Sequence, residues 1–391
     1  MRIAVILLAS LAIASLLGLG DVSAQSAPVA IQAIPLDLSV PIAPVPVSAE
    51  GRRHYLYELH LTNVGRTQLT LTRLEVIDER DAVVSASDGD ALAGQMRTLG
   101  ASDGGRAIAG GQTAIVFLDV AAPISAPLMH VLRHRLYLEP VRLEGGAEQT
   151  RLESRAIRVA SQWPALLSPP LRGADWVTLN ALSNVSSHRR TLIALEGRAT
   201  IAQRFAVDFS RIGPDGLAFR GDPANNANWS PYGADVLAVA NGRVVALRDG
   251  LAENDPTSDR KAIPISVDTA TGNYLVLDLG AGRYALYAHL KPGSFHVRAG
   301  DRVRTGQVLA ALGNSGKSDA PHLHFQIMDG PSPLASEGLP FELRSFEIEG
   351  HVASLSVLAD GTGWRASGPP QHAVREMPTL NAVVAFPSAP R

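Results

Sequence analysis

The chain has 391 residues, with 35 Lys+Arg against 37 Asp+Glu and a formal net charge of −2, so it carries no global basic footprint for nucleic acid. Cysteine is absent, which excludes disulfides, thiolate zinc ligands and a cysteine nucleophile; any metal must be held by His, Asp, Glu or water. The length suggests two domains, and 35 Gly and 26 Pro with 5% aromatics fit a turn-rich β protein better than a helical one.

In chain order, Arg2 precedes an apolar run from Ile3 to Leu19 and then Val22-Ser23-Ala24, small residues where a signal peptidase reads. This predicts a secretory signal peptide over 1–24, cleaved after Ala24, and a product that is exported, periplasmic or extracellular. No second stretch is long and apolar enough to span a bilayer, so no membrane span is expected after cleavage. Residues 25–50 are rich in Pro, Ala and Val and read as a lead-in.

From there the texture is one of short alternating strands: Tyr55, Tyr57, Leu59 and Leu61 share a face, with further runs at 69–73, 113–120, 133–138 and 156–159. Strands at this spacing predict an antiparallel sandwich of immunoglobulin type over 51–162. His130 and His134 are four apart and imitate a helical metal pair, but the strand pattern around them argues against it. The segment 163–175 contains three prolines and reads as a linker. Residues 176–346 are again strand-rich with glycine turns, clearest at 236–239, 243–247, 274–279, 284–289 and 308–312. The tail, 347–391, has weak periodicity and is assigned no fold of its own.

The chemistry concentrates in four residues. His322 and His324, in Ala-Pro-His-Leu-His-Phe-Gln, project from one face of a strand whose other face is Leu323, Phe325 and Ile327. His289 lies in Tyr-Ala-His-Leu and Asp208 in Arg-Phe-Ala-Val-Asp-Phe. Two imidazoles on one face can reach one ion or one reacting atom, and zinc takes nitrogen and oxygen ligands while keeping a position open for water. Taken alone, His-Leu-His reads better as a half-exposed strand pair; its neighbours change that.

The ordered blocks Tyr232-Gly-Ala-Asp-Val-Leu, Gly272-Asn-Tyr-Leu-Val-Leu-Asp, Tyr287-Ala-His-Leu, Gly300-Asp-Arg-Val-Arg-Thr-Gly, Gly313-Asn-Ser-Gly and Pro321-His-Leu-His-Phe resemble the lysostaphin/LytM-type zinc metallopeptidases across about residues 176–346. The resemblance implies an all-β chain whose second part is a mostly antiparallel sheet domain, with a groove holding one zinc ion and acting on the peptide cross-links of bacterial peptidoglycan. It implies Asp208 and His324 as zinc ligands, with His289 and His322 beside the metal handling protons. Zinc lowers the pKa of a bound water to about 7, and a neighbouring imidazole can carry its proton to the leaving amine.

One position departs from the family's His-x-x-x-Asp motif: four residues before Asp208 stands Arg204, which has no lone pair to offer a metal. An Arg204–Asp208 ion pair could stand where zinc would be, and Arg204→His is expected to raise zinc affinity. Gln203 is adjacent but is a poor ligand and should face the other way on a strand. His188, in Ser-Ser-His-Arg-Arg, is the candidate substitute ligand, the alternative being a surface-loop histidine. Two functions follow: a zinc metallopeptidase, or a catalytically degenerate relative that binds cell wall or regulates a partner hydrolase. Three features are set aside. The run 311–318 echoes a phosphate loop, but it begins with Ala and meets Pro321 too soon for a helix. The Lys317-Ser318 pair diverges on an extended chain, and Asp278 and Asp319 read as turn or strand-edge polarity.

Overall fold

The alternation of Tyr55, Tyr57, Leu59 and Leu61 becomes one face of the strand Arg52–Asn63, and those side chains are buried in a core shared by two sheets. In the computed structural model, residues 33–101, 105–142, 146, 148–354, 356 and 363–388 are described. The segment 1–24, read as a signal peptide, lies outside them. Among the described residues no helix is long and apolar enough to cross a membrane.

One N-terminal sheet runs Leu36–Ser39, Arg52–Asn63, Thr113–Pro123 and Met96–Thr98, with Pro46–Ala49 also paired to Arg52–Asn63. The other runs Glu148–Glu153, Val131–Arg142, Leu69–Asp78 and Val83–Asp88, with Ile157–Arg158 and Ala107–Ile108 on its margins. Both are antiparallel. The core between them takes Tyr57, Leu59, Val116 and Leu118 from one sheet and Leu71, Leu74, Leu132 and Leu136 from the other. Each such side chain contributes about 1.5–3 kcal/mol by leaving water. His130 sits just before the strand Val131–Arg142 and His134 within it, so the pair is not helical.

The outward face of the Arg52–Asn63 strand is covered as well. Leu56 joins the core of the C-terminal region, and Glu58 is 3% exposed. Alternation alone would leave this face to solvent; a second layer buries it.

Among the described residues that C-terminal region is built on a twelve-stranded, mainly antiparallel sheet. Its central order is Gly173–Leu179, Val207–Arg211, Leu323–Met328, Arg283–Leu290 and Asn273–Gly280. Val207, Phe209, Leu323, Phe325, Ala285 and Tyr287 point into the core. Asp208, His324 and Ala288, at the intervening positions, line a groove on the opposite face. The period-two pattern therefore separates core from site on the same strands.

Three segments depart from expectation. The lead-in supplies the strands Leu36–Ser39 and Pro46–Ala49. The stretch read as a linker contains Ala165–Leu167, paired in parallel with Phe341–His351, and the start of Gly173–Leu179. The tail is not structureless: Gln371–Glu376 pairs with Phe341–His351, and Ala382–Phe386 lies between that strand and Gly173–Leu179. Such short apolar runs between Pro and Gly have too little periodicity to declare themselves; their ladder partners, far away in sequence, make them strands. The ends also meet: Met377 N–H donates to the Ser48 carbonyl at 2.7 Å, and the Glu376 carboxylate accepts from the N–H of Glu50 at 2.7 Å.

Candidate metal centre

Asp208 and His324 are register partners on adjacent antiparallel strands, and Ala288 on the next strand also faces His324. His324 Nδ1 lies 2.8 Å from Asp208 Oδ1. Its Nε2 lies 2.9 Å from Gln326 Oε1, and the Gln326 amide is oriented by donating from Nε2 to the Pro333 carbonyl at 3.2 Å.

His188 comes from an irregular loop, and its Nε2 is 3.3 Å from Asp208 Oδ2. Asn180 Nδ2 donates to the same oxygen at 2.9 Å. The ligand atoms of His188, Asp208 and His324 all lie within 4.8 Å of one another. Two imidazoles and a carboxylate converging at that spacing, with no sulfur, are a donor set suited to zinc with room left for water. The residues present fit the metal that the sequence pattern implies.

His289 and His322 complete the cluster. Their ring centroids are 4.8 Å apart, and that of His289 is 5.8 Å from that of His324. His289 sits at a register shift between the paired residues Tyr287 and Leu290 of its strand, at φ +62°, with its backbone N–H donating to the Thr271 carbonyl at 3.1 Å. Its Nδ1 is 2.7 Å from the Ser315 carbonyl, and His322 Nδ1 is 2.8 Å from the Ala320 carbonyl. A carbonyl only accepts, so both Nδ1 atoms carry a proton, and Nε2 is the atom through which a neutral ring would accept one. His322 Nε2 lies 3.6 Å from Asp208 Oδ1.

Glycine makes the His289 seat possible. At Gly272 (φ +65°) a Cβ would come within 2.4 Å of the Ser315 carbonyl oxygen, and at Gly316 (φ +76°) within 2.3 Å of the Gly272 nitrogen. Only glycine lets these two segments approach so closely. Ser315 Oγ then accepts from Asn273 N–H and donates to the Leu290 carbonyl, each at 2.9 Å, bracing the residues that flank His289.

The electrostatics follow from burial and crowding. Burial opposes the charged form of Asp208, but His188, His322 and His324 outweigh it and hold the carboxyl well below its usual range. For His324 burial likewise opposes charge, and the Asp208 hydrogen bond and charge overcome it to raise the pKa. Burial, reinforced by His322 and His324, holds His289 well below its ordinary value. His188 is lowered to about 4, chiefly by burial. His188 and His289 are thus held in the neutral form, which can offer a lone pair, whereas Asp208 favours the proton on His324.

Arg204 does not face the groove. Residues 202–205 form a turn rather than a strand, closed by Arg204 N–H to the Ile201 carbonyl at 3.1 Å. The guanidinium is buried between Glu58, with Nε 3.0 Å from Oε2, and Glu337, with Nη1 2.7 Å from Oε2. The alternative in which an Arg204–Asp208 pair replaces the metal is therefore not what forms: Arg204 pairs with Glu58 and Glu337. The same turn puts Gln203 among the residues lining the groove, contrary to the strand-based expectation.

The groove encloses about 490 Å³ and also takes in Lys317 and Asp319. Asp319 is paired with Lys261 Nζ at 2.5 Å, and Asp278 Oδ1 accepts from the Gly280 N–H at 2.8 Å, which are edge and turn roles. Ser318 Oγ donates to the Ala320 carbonyl at 3.0 Å. Sequence reasoning missed Asn180 and Gln326. Gln326 was within reach, since it continues the His322, His324 alternation. Asn180 carries no local signal.

The fold and site together describe an all-β chain with a candidate mononuclear metal centre in an open groove. Residues 229–336 match the model of Peptidase family M23, and the C-terminal region resembles the lysostaphin/LytM type. The glycyl-glycine endopeptidase ALE-1 of Staphylococcus capitis is 44% identical over 57 residues, 14% of this chain and 15% of that protein. The peptidoglycan DD-endopeptidase ShyC of Vibrio cholerae is 26% identical over 125 residues, 32% of this chain and 26% of that one. The catalytic domain of lysostaphin from Staphylococcus simulans aligns at 24% identity, over 37% of this chain and 80% of that one, with a TM-score of 0.22. The chain thus spans only 15% and 26% of the length of these two curated relatives.

Proposed function

We propose that this chain is an exported zinc-dependent metallopeptidase that hydrolyses peptide cross-links of bacterial peptidoglycan, with Asp208, His324 and His188 holding the metal. The observation that carries the reading is the convergence of those three ligand groups within 4.8 Å, beside two imidazoles whose Nδ1–H groups are fixed by backbone carbonyls. The M23 match over residues 229–336 supports the reaction class, and the names of the relatives supply the substrate class.

When bound, zinc supplies the Lewis acidity that acidifies water and polarises a peptide carbonyl. The rest belongs to the chain. His322 and His289 accept a proton at Nε2 and return it to the leaving amine, their Nδ1–H groups being fixed by the Ala320 and Ser315 carbonyls. Gln326 and Asn180 orient His324 and Asp208, and the open groove admits an extended peptide. The regulator reading rested on Arg204 occupying the metal position, and Arg204 is bound elsewhere.

The test is metal analysis of the purified protein together with release of soluble peptides from purified sacculi. About one zinc per chain is expected, with hydrolysis lost on chelation and restored by zinc, and with His188→Ala binding little metal. A protein that neither contains nor takes up zinc would refute the reading. N-terminal sequencing of the exported product checks cleavage after Ala24.

A further inference from the structure

We propose that Glu58, on the N-terminal sheet, is a positioning residue for the metal centre: it anchors the segments that carry His188 and Asp208, so the N-terminal sheets complete the site. The inference rests on His188 being a ligand. Residues 183–192 contain no strand. The loop's own backbone bonds are turn contacts such as Arg190 N–H to the Ser186 carbonyl and Thr191 N–H to the His188 carbonyl, both at 3.2 Å. A ligand on such a loop must be ordered by something else, because fixing each residue costs about 1–2 kcal/mol of conformational entropy.

Ser186 and Ser187 tie the loop to Asn180, at 2.6 and 2.8 Å, and most of its remaining anchors lie on the outer face of the N-terminal sheet. Arg189, next to His188, is 1% exposed and inserts there. Its Nη1 donates to Glu58 Oε1 at 2.5 Å, and its Nη2 to the carbonyls of Tyr57 and Leu118, each at 2.9 Å. Its Nε donates to Asn184 Oδ1 at 3.2 Å, while Asn184 Nδ2 reaches the Phe117 carbonyl at 2.8 Å. Arg190 donates to the Gly94 carbonyl at 2.8 Å, and Leu192 packs on Ile115 and Phe117.

The other oxygen of Glu58 holds Arg204, four residues before Asp208. One carboxylate therefore ties both ligand-bearing segments to one surface. The buried group balances, with Glu58 and Glu337 against Arg189 and Arg204, which is the condition for such charges to be tolerated. Where the family pattern has a histidine at position 204, this chain has an arginine that serves as the strut, and the ligand comes from the loop held beside it.

The test uses the full-length protein and reads zinc affinity by chelator competition, the visible spectrum of the Co2+-substituted form, and thermal unfolding. The variants are Glu58→Gln, Arg189→Met, Asn184→Ala and His188→Ala. Glu58→Gln leaves two buried guanidiniums facing fewer charges and can fail to fold, so Arg189→Met, which keeps the Glu58–Arg204 pair, and the milder Asn184→Ala carry the same readouts. Each folded variant with the tie broken should lose zinc affinity, by about 10- to 100-fold for Arg189→Met and less for Asn184→Ala. The cobalt spectrum should move toward that of His188→Ala. Folded Arg189→Met with wild-type affinity and spectrum, or Asn184→Ala with both unchanged if Arg189→Met does not fold, would overturn the proposal. If His188→Ala itself leaves affinity and spectrum unchanged, the ligand assignment fails first, a result distinct from failure of the Glu58 strut alone.

Discussion

His324 and Asp208 stand opposite each other on neighbouring antiparallel strands, with Nδ1 and Oδ1 2.8 Å apart. Register partners cannot drift apart without breaking the ladder, so the two groups are pre-organised by the sheet itself. His188 has no such constraint and depends on its loop. Two of the proposed ligands are thus set by secondary structure and the third by tertiary packing, which makes the third the sensitive point of the proposed site.

Gln326 should matter through His324 rather than by touching a metal or substrate. Its Oε1 takes the Nε2–H of His324 at 2.9 Å, leaving Nδ1 to turn toward the ligand cluster. Gln326→Ala is expected to weaken zinc binding by about 10- to 100-fold while the protein stays folded. Chelator competition with parallel thermal unfolding checks this, and unchanged affinity would remove Gln326 from the site.

Arg204→His, expected from sequence to raise zinc affinity, should instead destabilise the fold. The guanidinium bridges two buried carboxylates, and removing one partner of such a cluster costs about 3–5 kcal/mol. Urea unfolding should show the loss and metal titration no gain in affinity. A tighter-binding variant of unchanged stability would contradict the position of Arg204 described above.

Much of the site was legible in the sequence because it is written in period two. Asp208 between Val207 and Phe209, and His324 between Leu323 and Phe325, alternate polar and apolar, and that alternation assigns them to the groove face. The strands of the tail and the role of Glu58 were not legible. Ala382–Phe386 acquires its identity from Gly173–Leu179, and Glu58 occupies a position that alternation assigns to solvent. Gln203 was misplaced because the strand pattern was extended through 202–205, where the chain turns.

Proton handling should separate from metal holding. His322→Asn and His289→Asn remove the imidazole Nε2 atoms but leave Asp208, His324 and His188 in place. Each is expected to lower turnover by about 10²- to 10⁴-fold with zinc content unchanged. Single-turnover hydrolysis of a defined cross-linked peptide, with metal analysis of the same samples, measures both. Loss of zinc from either variant would make that histidine a ligand instead.

Acid sensitivity should trace in part to His134, far from the groove. The Ser154 hydroxyl donates to the Arg155 carbonyl at 2.8 Å, so its oxygen accepts the His134 Nδ1–H at 3.2 Å, while Tyr57 O–H donates to Nε2 at 2.8 Å. The buried ring is neutral, its pKa lowered to about 4 from 6.5 by burial. Between those values the unfolded chain binds the extra proton and the folded one does not, so stability is complete above the unfolded pKa and declines as pH falls toward the folded one. The full decline is about 3 kcal/mol at 1.36 kcal/mol per unit. His134→Gln, which keeps a polar group in place, should flatten this component while other histidines titrate as before. Urea unfolding of wild type and variant at about pH 7 and about pH 4.5 compares the two slopes; parallel slopes would show that His134 does not carry it.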